Sequence, residues 1–564
     1  MIIYQKNQFK SNFLEIFKNI IISLVVIFIC LFFMSKKENL DIDEIYTYGI
    51  TNNTFQLDVK DNIEYKGNDL LLKYASVHPG NEFNIKNLFY NQGLDTHPPL
   101  YYMFINLICS INKGKFSIWY GLVINIIFML ILFWEMKFII KLITKSDWFS
   151  LLISLISLFF YGFINLYVFT RMYVQLSAIS LGLIILILSF IYKDNNEFKD
   201  VIFVENNVKE KKRLFDGSFI SNKLCFLILF YVLCVFGILT QYHFMIIAGI
   251  YSLYLGIYLL YKKYYKFLLL IILFGILSIL TAYLIFPEMI NHLFGVTSLH
   301  GLKSERLYAI SEKLLEFYLS IVKSFSGNIV LFSMVVLVCI ISLILIRNRT
   351  LILIFISIFL YYIIISITAT FNFARYLYNI YSLIIIFISS TIYLLCEKCV
   401  KSSGRIFKLV PSSISLIIIL IMCIFSRYKT TPFSLNSGDS KFHNYLYENK
   451  DIKTVLLYRT FDTNGKENSM SGTSKWKLPR PLYSLKDMNS LLFCDVDNMS
   501  NLAIDKYENE NKVFVIIYTT ENDDILINRI INKLNSVAYK NGFFTGVNKI
   551  YFNDYYHMYL LTKR

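Results

Sequence analysis

The sequence predicts a mainly α-helical, polytopic membrane domain that ends in a small α/β domain. Three observations predict it. Of 564 residues, 56% are hydrophobic and 17% charged, with a mean hydropathy of +0.53. A soluble chain of that length needs far more polar surface. Second, the apolar residues fall in repeated runs long enough to cross a ~30 Å hydrocarbon core. Third, the segment after residue 426 loses those runs and carries short β-branched and aromatic stretches instead.

About eleven spans are expected, near residues 17–34, 117–140, 148–163, 174–192, 224–241, 243–261, 267–286, 326–346, 350–369, 377–395 and 409–426. The first run, Ile20 to Met34, follows Lys6, Lys10 and Lys18 as a secretory signal would, but no small-x-small cleavage site follows it. A retained first span is expected. Basic residues collect after the even spans: Lys141 and Lys145, Lys209 to Arg213, Lys262, Lys263 and Lys266, Arg347 and Arg349, then Lys398, Lys401 and Arg405. By the positive-inside rule those loops and the N-terminus are cytoplasmic, making this a multi-pass cell-membrane protein with its last domain outside. The same clustering explains the net charge of +16 without nucleic acid as a partner.

The expected domains are residues 1–426, a transmembrane domain whose first outer loop is 35–116, and residues 427–564, an extracytoplasmic α/β domain. Within the loop, Leu100 to Ile111 is apolar but too short to span, and reads as an interfacial helix. In the last domain 454–458 (TVLLY) and 513–518 (VFVIIY) read as buried strands, 522–534 as a helix and 557–561 (HMYLL) as a closing strand. The nine cysteines lie mostly in apolar runs, and the lone CxxC of Cys396 and Cys399 has no second pair to complete a zinc site. The spacing of the seven histidines matches no metal motif, so neither metal nor cofactor is expected.

Polar residues gather at the outer ends of the spans. After the first comes Asp41-Ile42-Asp43-Glu44, where Asp41 and Glu44 fit a capping box and Asp43 has no structural task. Adjacent helical residues point different ways, so Asp43 and Glu44 cannot both aim into one site. Before the second span stands Asp95-Thr96-His97-Pro98-Pro99-Leu100-Tyr101-Tyr102. Here the prolines hold His97 on a stiff turn, or simply start a helix capped by Asp95 or Thr96. Arg171 and Arg375 begin the fourth and tenth spans, on the side that topology disfavours for positive charge. Such arginines either snorkel to headgroups or hold a lipid phosphate with a planar fork. Gln241-Tyr242-His243 adds polar groups at the same side.

These pieces resemble the glycosyltransferase C superfamily, and more closely its bacterial members related to protein mannosyltransferases and aminoarabinose transferases. The matching residues are Asp43-Glu44, His97-Pro98-Pro99-Leu100-Tyr101-Tyr102, Arg171-Met172-Tyr173, Thr240-Gln241-Tyr242 and Arg375-Tyr376-Leu377, over roughly residues 15–426. The resemblance implies a polyprenyl-phosphate monosaccharide donor, an extracytoplasmic acceptor (protein, teichoic acid, polysaccharide or lipid) and transfer usually with inversion. It places the catalytic carboxylate at Asp43. Glu44 and Asp95 are read as supporting carboxylates. Relatives often carry His where this chain has Gln241. On chemistry, Asp43 would take the acceptor's proton, Arg375 first and Arg171 second would stabilise the leaving phosphate, and His97 and Tyr242 would orient donor phosphate or acceptor. The rival is a lipid or glycan transporter, which would place its polar groups mid-span, where this chain reads as almost purely apolar.

Overall fold

A computed structural model describes residues 2–54, 57–194, 223–294, 305–369, 372–400, 409–428, 432–435, 440–458, 478–495, 510–518, 543–552 and 556–563, with isolated positions in 528–536. The basic loop of Lys209 to Arg213 and nearly all of the helix expected over 522–534 lie outside the described residues.

Helices α1 (Ile2–Met34), α2 (Ile42–Asn52), α3 (Gly67–Ala75), α4 (Ile85–Leu94) and α5 (Leu100–Ile111) lead to α6 (Trp119–Thr144), α7 (Asp147–Ser157), α8 (Tyr161–Val168) and α9 (Tyr173–Asp194). There follow α10 (Lys223–Thr240), α11 (Phe244–Tyr261), α12 (Tyr265–Ile285), the short α13 (Met289–Phe294), α14 (Glu305–Phe325), α15 (Ile329–Ile346) and α16 (Arg349–Thr368). A 3-10 turn, Ala374–Leu377, opens α17 (Tyr378–Cys399), which precedes α18 (Leu409–Arg427) and α19 (Ser440–Glu448). The strands are β1 (Glu64–Tyr65), β2 (Lys453–Tyr458), β3 (Leu491–Asp495), β4 (Lys512–Tyr518), β5 (Phe543–Phe552) and β6 (Tyr556–Lys563).

Among the described residues ten helices are long and apolar enough to cross a membrane, and the pair α7–α8 makes an eleventh if taken together. That pair is the expected third span, broken and bent by 69°. Ser426, at the end of α18, accepts from the Tyr161 N–H at 3.3 Å, and Asn165 of α8 accepts from both the backbone N–H and the hydroxyl of Ser434. One of the orphan donors that the break creates, the Tyr161 N–H, is thereby satisfied inside the protein, as a low-dielectric setting favours.

Two compact units divide the chain. The first comprises Met1–Lys36, Gln92–Tyr101 and Gly121–Leu435. Its inner helices are α9 and α17, with 89% and 83% of their apolar windows buried against 17% for α12, whose leucines and isoleucines are left for lipid. Small residues let the inner helices approach: Ser177 of α9 donates to the Tyr378 carbonyl of α17 at 3.2 Å, and a Cβ on Gly182 would come 2.9 Å from Oε1 of Glu135 on α6. Glu135 departs from the expected apolar span interiors, since its Oε2 is buried with no hydrogen-bond partner among the described residues.

The second unit comprises Lys37–Asn91, Tyr102–Tyr120 and Asn436–Arg564, so most of the first loop shares one compact unit with the C-terminal segment. One six-stranded sheet runs through it in the order β1-β3-β2-β4-β6-β5. β2 pairs in parallel with β3 and β4, and all but the first of its residues are buried, which is why 454–458 reads as an unbroken apolar run. β1 comes from the first loop and pairs antiparallel with β3, while Asn39 of the loop donates to Ser484 at 2.8 Å. Gly67 permits that seam: its N–H donates to the Met488 carbonyl, and a Cβ there would collide with the Leu485 carbonyl.

Candidate functional site

In the second unit the acidic motif forms the start of α2. Asp41 is the N-cap, its carboxylate accepts from the Asp43 N–H at 3.1 Å, and its own N–H donates to Glu44 Oε2 at 2.8 Å. Lys37 Nζ lies 2.9 Å from the same Glu44 oxygen, and both side chains are fully buried. Glu44 therefore completes the capping box and pairs a buried cation, two tasks that fix it in place. The box employs the carboxylates of Asp41 and Glu44 but only the backbone N–H of Asp43.

In the first unit four separate connections meet. The segment between α4 and α5 presents Asp95 and His97, with Nδ1 of His97 3.0 Å from Oδ2 of Asp95. A carboxylate only accepts, so Nδ1 carries the hydrogen and Nε2 is the nitrogen left for other work. Burial opposes ionisation of Asp95, but His97 and Arg171 together outweigh it and hold the carboxyl at about 2. Arg171, buried between α8 and α9, thus shares an electrostatic site with a residue that precedes α6. Since α6 leads away from that side and Arg171 lies beyond α7–α8, the bent pair returns the chain to where α6 began and does the work of one span.

Asn125 of α6 builds this corner. Its Nδ2 donates to the carbonyls of Tyr167 and Phe169, at 3.1 and 2.7 Å, just ahead of Arg171. Its Oδ1 accepts from the Tyr101 hydroxyl at 2.9 Å, just after His97. One fully buried amide thereby fixes both segments.

The third connection is Gln241-Tyr242-His243, between α10 and α11. The Tyr242 hydroxyl lies 2.9 Å from Nδ1 of His292 on α13, and burial and the charge of Asp95 raise its pKa above the ordinary tyrosine value. Nε2 of His292 lies 3.1 Å from the Gly93 carbonyl, two residues before Asp95. His243 has a buried Nδ1 with no hydrogen-bond partner among the described residues, and its surroundings and His97 hold its pKa down to about 4. Its ring meets Tyr376 edge-on, with centroids 5.5 Å apart, which brings in the fourth connection. There Arg375 lays its guanidinium 3.8 Å from the Phe373 ring centroid and 5.9 Å from that of Tyr376.

The structure therefore brings Asp95, His97, Arg171 and Tyr242 together and joins Arg375 to them through Tyr376 and His243. Asp43 and Glu44 belong to the second unit. Asn125 and His292 are the residues that sequence reasoning missed. An Asn inside an apolar span is a visible signal, whereas nothing in the sequence around His292 pairs it with Tyr242. Among the described residues no group of three or more His, Cys, Asp or Glu is arranged to hold a metal ion.

No family model and no curated protein matches the chain. Among solved structures it is similar to ArnT from Cupriavidus metallidurans, whose crystal structure is bound to undecaprenyl phosphate, at 8% sequence identity and a TM-score of 0.45, with 97% of each chain covered.

Proposed function

We propose that this chain is a membrane glycosyltransferase that moves a monosaccharide from a polyprenyl-phosphate donor to an extracytoplasmic acceptor hydroxyl, with inversion. The observation that carries the proposal is the first-unit cluster. Two arginines, a carboxylate–imidazole pair and a tyrosine converge from four connections at one end of a helical bundle whose outer helices are apolar. A lipid substrate with a charged, polyhydroxylated head needs that combination.

In the reaction the acceptor oxygen attacks the anomeric carbon while the lipid phosphate leaves with the bonding electrons. The acceptor's proton passes to a base, for which Asp43 is the first choice. Arg375 and Arg171 meet the charge growing on the leaving phosphate, where a planar guanidinium in a water-poor site acts strongly. His97 and Tyr242 orient donor phosphate or acceptor, and Glu44 and Asp95 support the carboxylate and the imidazole beside them. The basic loops and N-terminus are assigned to the cytoplasm, the cluster and Arg564 to the outside.

One observation favours transport instead, the buried Glu135 within α6. Mass spectrometry of lipid-linked sugars and envelope glycans from a deletion strain separates the two. Transfer predicts loss of a sugar modification that wild type restores and Asp43→Asn does not, while Glu135→Gln restores it. A strain whose glycans are unchanged, or restoration that fails with Glu135→Gln but succeeds with Asp43→Asn, overturns the transferase reading.

A further inference from the structure

His292 has two hydrogen-bond partners of different character, and that difference fixes the direction of both bonds. The Gly93 carbonyl, 3.1 Å from Nε2, can only accept, so Nε2 carries a hydrogen. In the neutral ring Nδ1 is then bare, and the Tyr242 hydroxyl, 2.9 Å away, must donate to it. The phenolic proton is thereby committed inside the protein. What Tyr242 has left for a ligand is lone pairs. A phosphate oxygen is itself an acceptor and gains nothing from such a group, whereas a hydroxyl donates into it. The contact is built rather than incidental: Gly93 lacks a Cβ where one would come 2.9 Å from Cγ of Glu288, so α13 can settle against the end of α4. The rings of Phe286 and Tyr242 flank His292, with centroids 5.6 and 6.0 Å away.

We infer that Tyr242, with His292 as its positioning residue, recognises a hydroxyl group of the reacting partners and not the lipid phosphate. The inference rests on the transferase reading and narrows it, by separating one residue of the cluster from the anion site. The hydroxyl belongs either to the transferred sugar or to the acceptor, and one series of variants distinguishes them.

The probes are sugar-free polyprenyl phosphate and a panel of polyprenyl-phosphate monosaccharides, titrated against the full chain in nanodiscs. Tyr242→Phe should leave affinity for the sugar-free lipid within about twofold of wild type. It should weaken the sugar-bearing lipid by about three- to tenfold, as loss of one hydrogen bond does. If the hydroxyl is the acceptor's, donor binding is kept and KM for the acceptor rises by that factor. His292→Phe should reproduce whichever pattern Tyr242→Phe shows, His292→Gln should recover part of it, and His292→Phe should add little in a Tyr242→Phe background.

His292→Gln supplies the readout that a merely structural role would not move, because a Gln carbonyl can still accept from the Tyr242 hydroxyl where a Phe ring cannot. Equal weakening of the sugar-free and the sugar-bearing lipid by Tyr242→Phe would make Tyr242 a phosphate contact and overturn the inference. Failure of wild type to bind any polyprenyl phosphate would overturn the transferase reading itself and the inference with it.

Discussion

The two polar clusters of this chain are built by opposite means. At the start of α2 the carboxylates of Asp41 and Glu44 are satisfied within eight residues of chain, by a capping box and by Lys37. In the first unit Asp95, His97, Arg171, Tyr242 and His292 come from four stretches spread over about two hundred residues; Asp95 and His97 pair locally, but Asn125 fixes the segments beside His97 and Arg171, and His292 joins Tyr242 to Gly93 across long stretches of chain. The local cluster is self-sufficient, and its cap uses only the backbone N–H of Asp43. The assembled cluster exists only if the bundle packs correctly. Substitutions in the first should therefore act one residue at a time, and substitutions in the second should spread.

The largest effect is expected at Asp43. Asp43→Asn should lower turnover by ~10²–10⁴ while leaving donor binding and membrane insertion intact, because a base acts in the transition state. Asp41→Asn should be mild, since Asn caps a helix as well as Asp does. Measured beside them, His97→Gln tests the alternative that the Asp95-oriented imidazole is the base; a dead His97→Gln with a near-normal Asp43→Asn would exchange the two roles.

Glu44 sharpens the contrast. From the capping box alone, Glu44→Gln should be milder than Asp43→Asn, because Gln still completes the box. The structure adds Lys37, fully buried against it. Glu44→Gln takes away the opposite charge at 2.9 Å from Lys37, so it should cost about 1.5–3 kcal/mol, the loss of a hydrogen bond to a charged group, readable as a lowered unfolding temperature in detergent. A loss below about 1 kcal/mol would mean that Lys37 finds water or another partner.

His243 makes the assembled cluster sensitive to acid. Its folded pKa of about 4 lies below the ordinary 6.5, so between those values the unfolded chain takes up a proton that the folded one refuses. Its contribution is complete above the higher value, falls as pH drops through the window, and levels off below the lower. The loss is at most ~3 kcal/mol. Stability measured against pH in wild type and His243→Phe should differ in slope within that window and run parallel outside it. Parallel curves throughout would remove His243 as the acid-sensitive group.

Asn125→Ala should cost ~1–3 kcal/mol, the penalty for buried groups left without partners, and should also weaken lipid-phosphate binding by displacing the segment before Arg171. An Asn125→Ala protein that is destabilised but binds normally would confine Asn125 to a structural role.

What was legible in the sequence follows the same division. Length and hydropathy located the spans, and Asn348, which caps α16 directly after Arg347 in the left-handed conformation, shows how a tight turn separates two spans that read almost as one. The capping box was legible because its members are three residues apart. The break between Ser157 and Tyr161 was not, since the residues there are as apolar as the span around them and the bend is held by Ser426 and Ser434, far along the chain. The incorporation of the first loop into the C-terminal sheet was equally hidden. β1 is two residues long, and its partner β3 is a five-residue run too short to declare itself. His292 escaped for the same reason: its meaning lies in a contact with Tyr242 fifty residues away.

The central claim is that the first-unit cluster holds a lipid phosphate through its arginines. Titration of sugar-free polyprenyl phosphate into the purified chain in nanodiscs tests it most directly, with Arg171→Lys and Arg375→Lys alongside. The account predicts saturable binding by wild type and a loss of about tenfold or more in each variant, because lysine keeps the charge but not the bidentate fork. Binding by both variants equal to wild type would mean that the arginines only anchor the bundle at the headgroups, and would contradict the account.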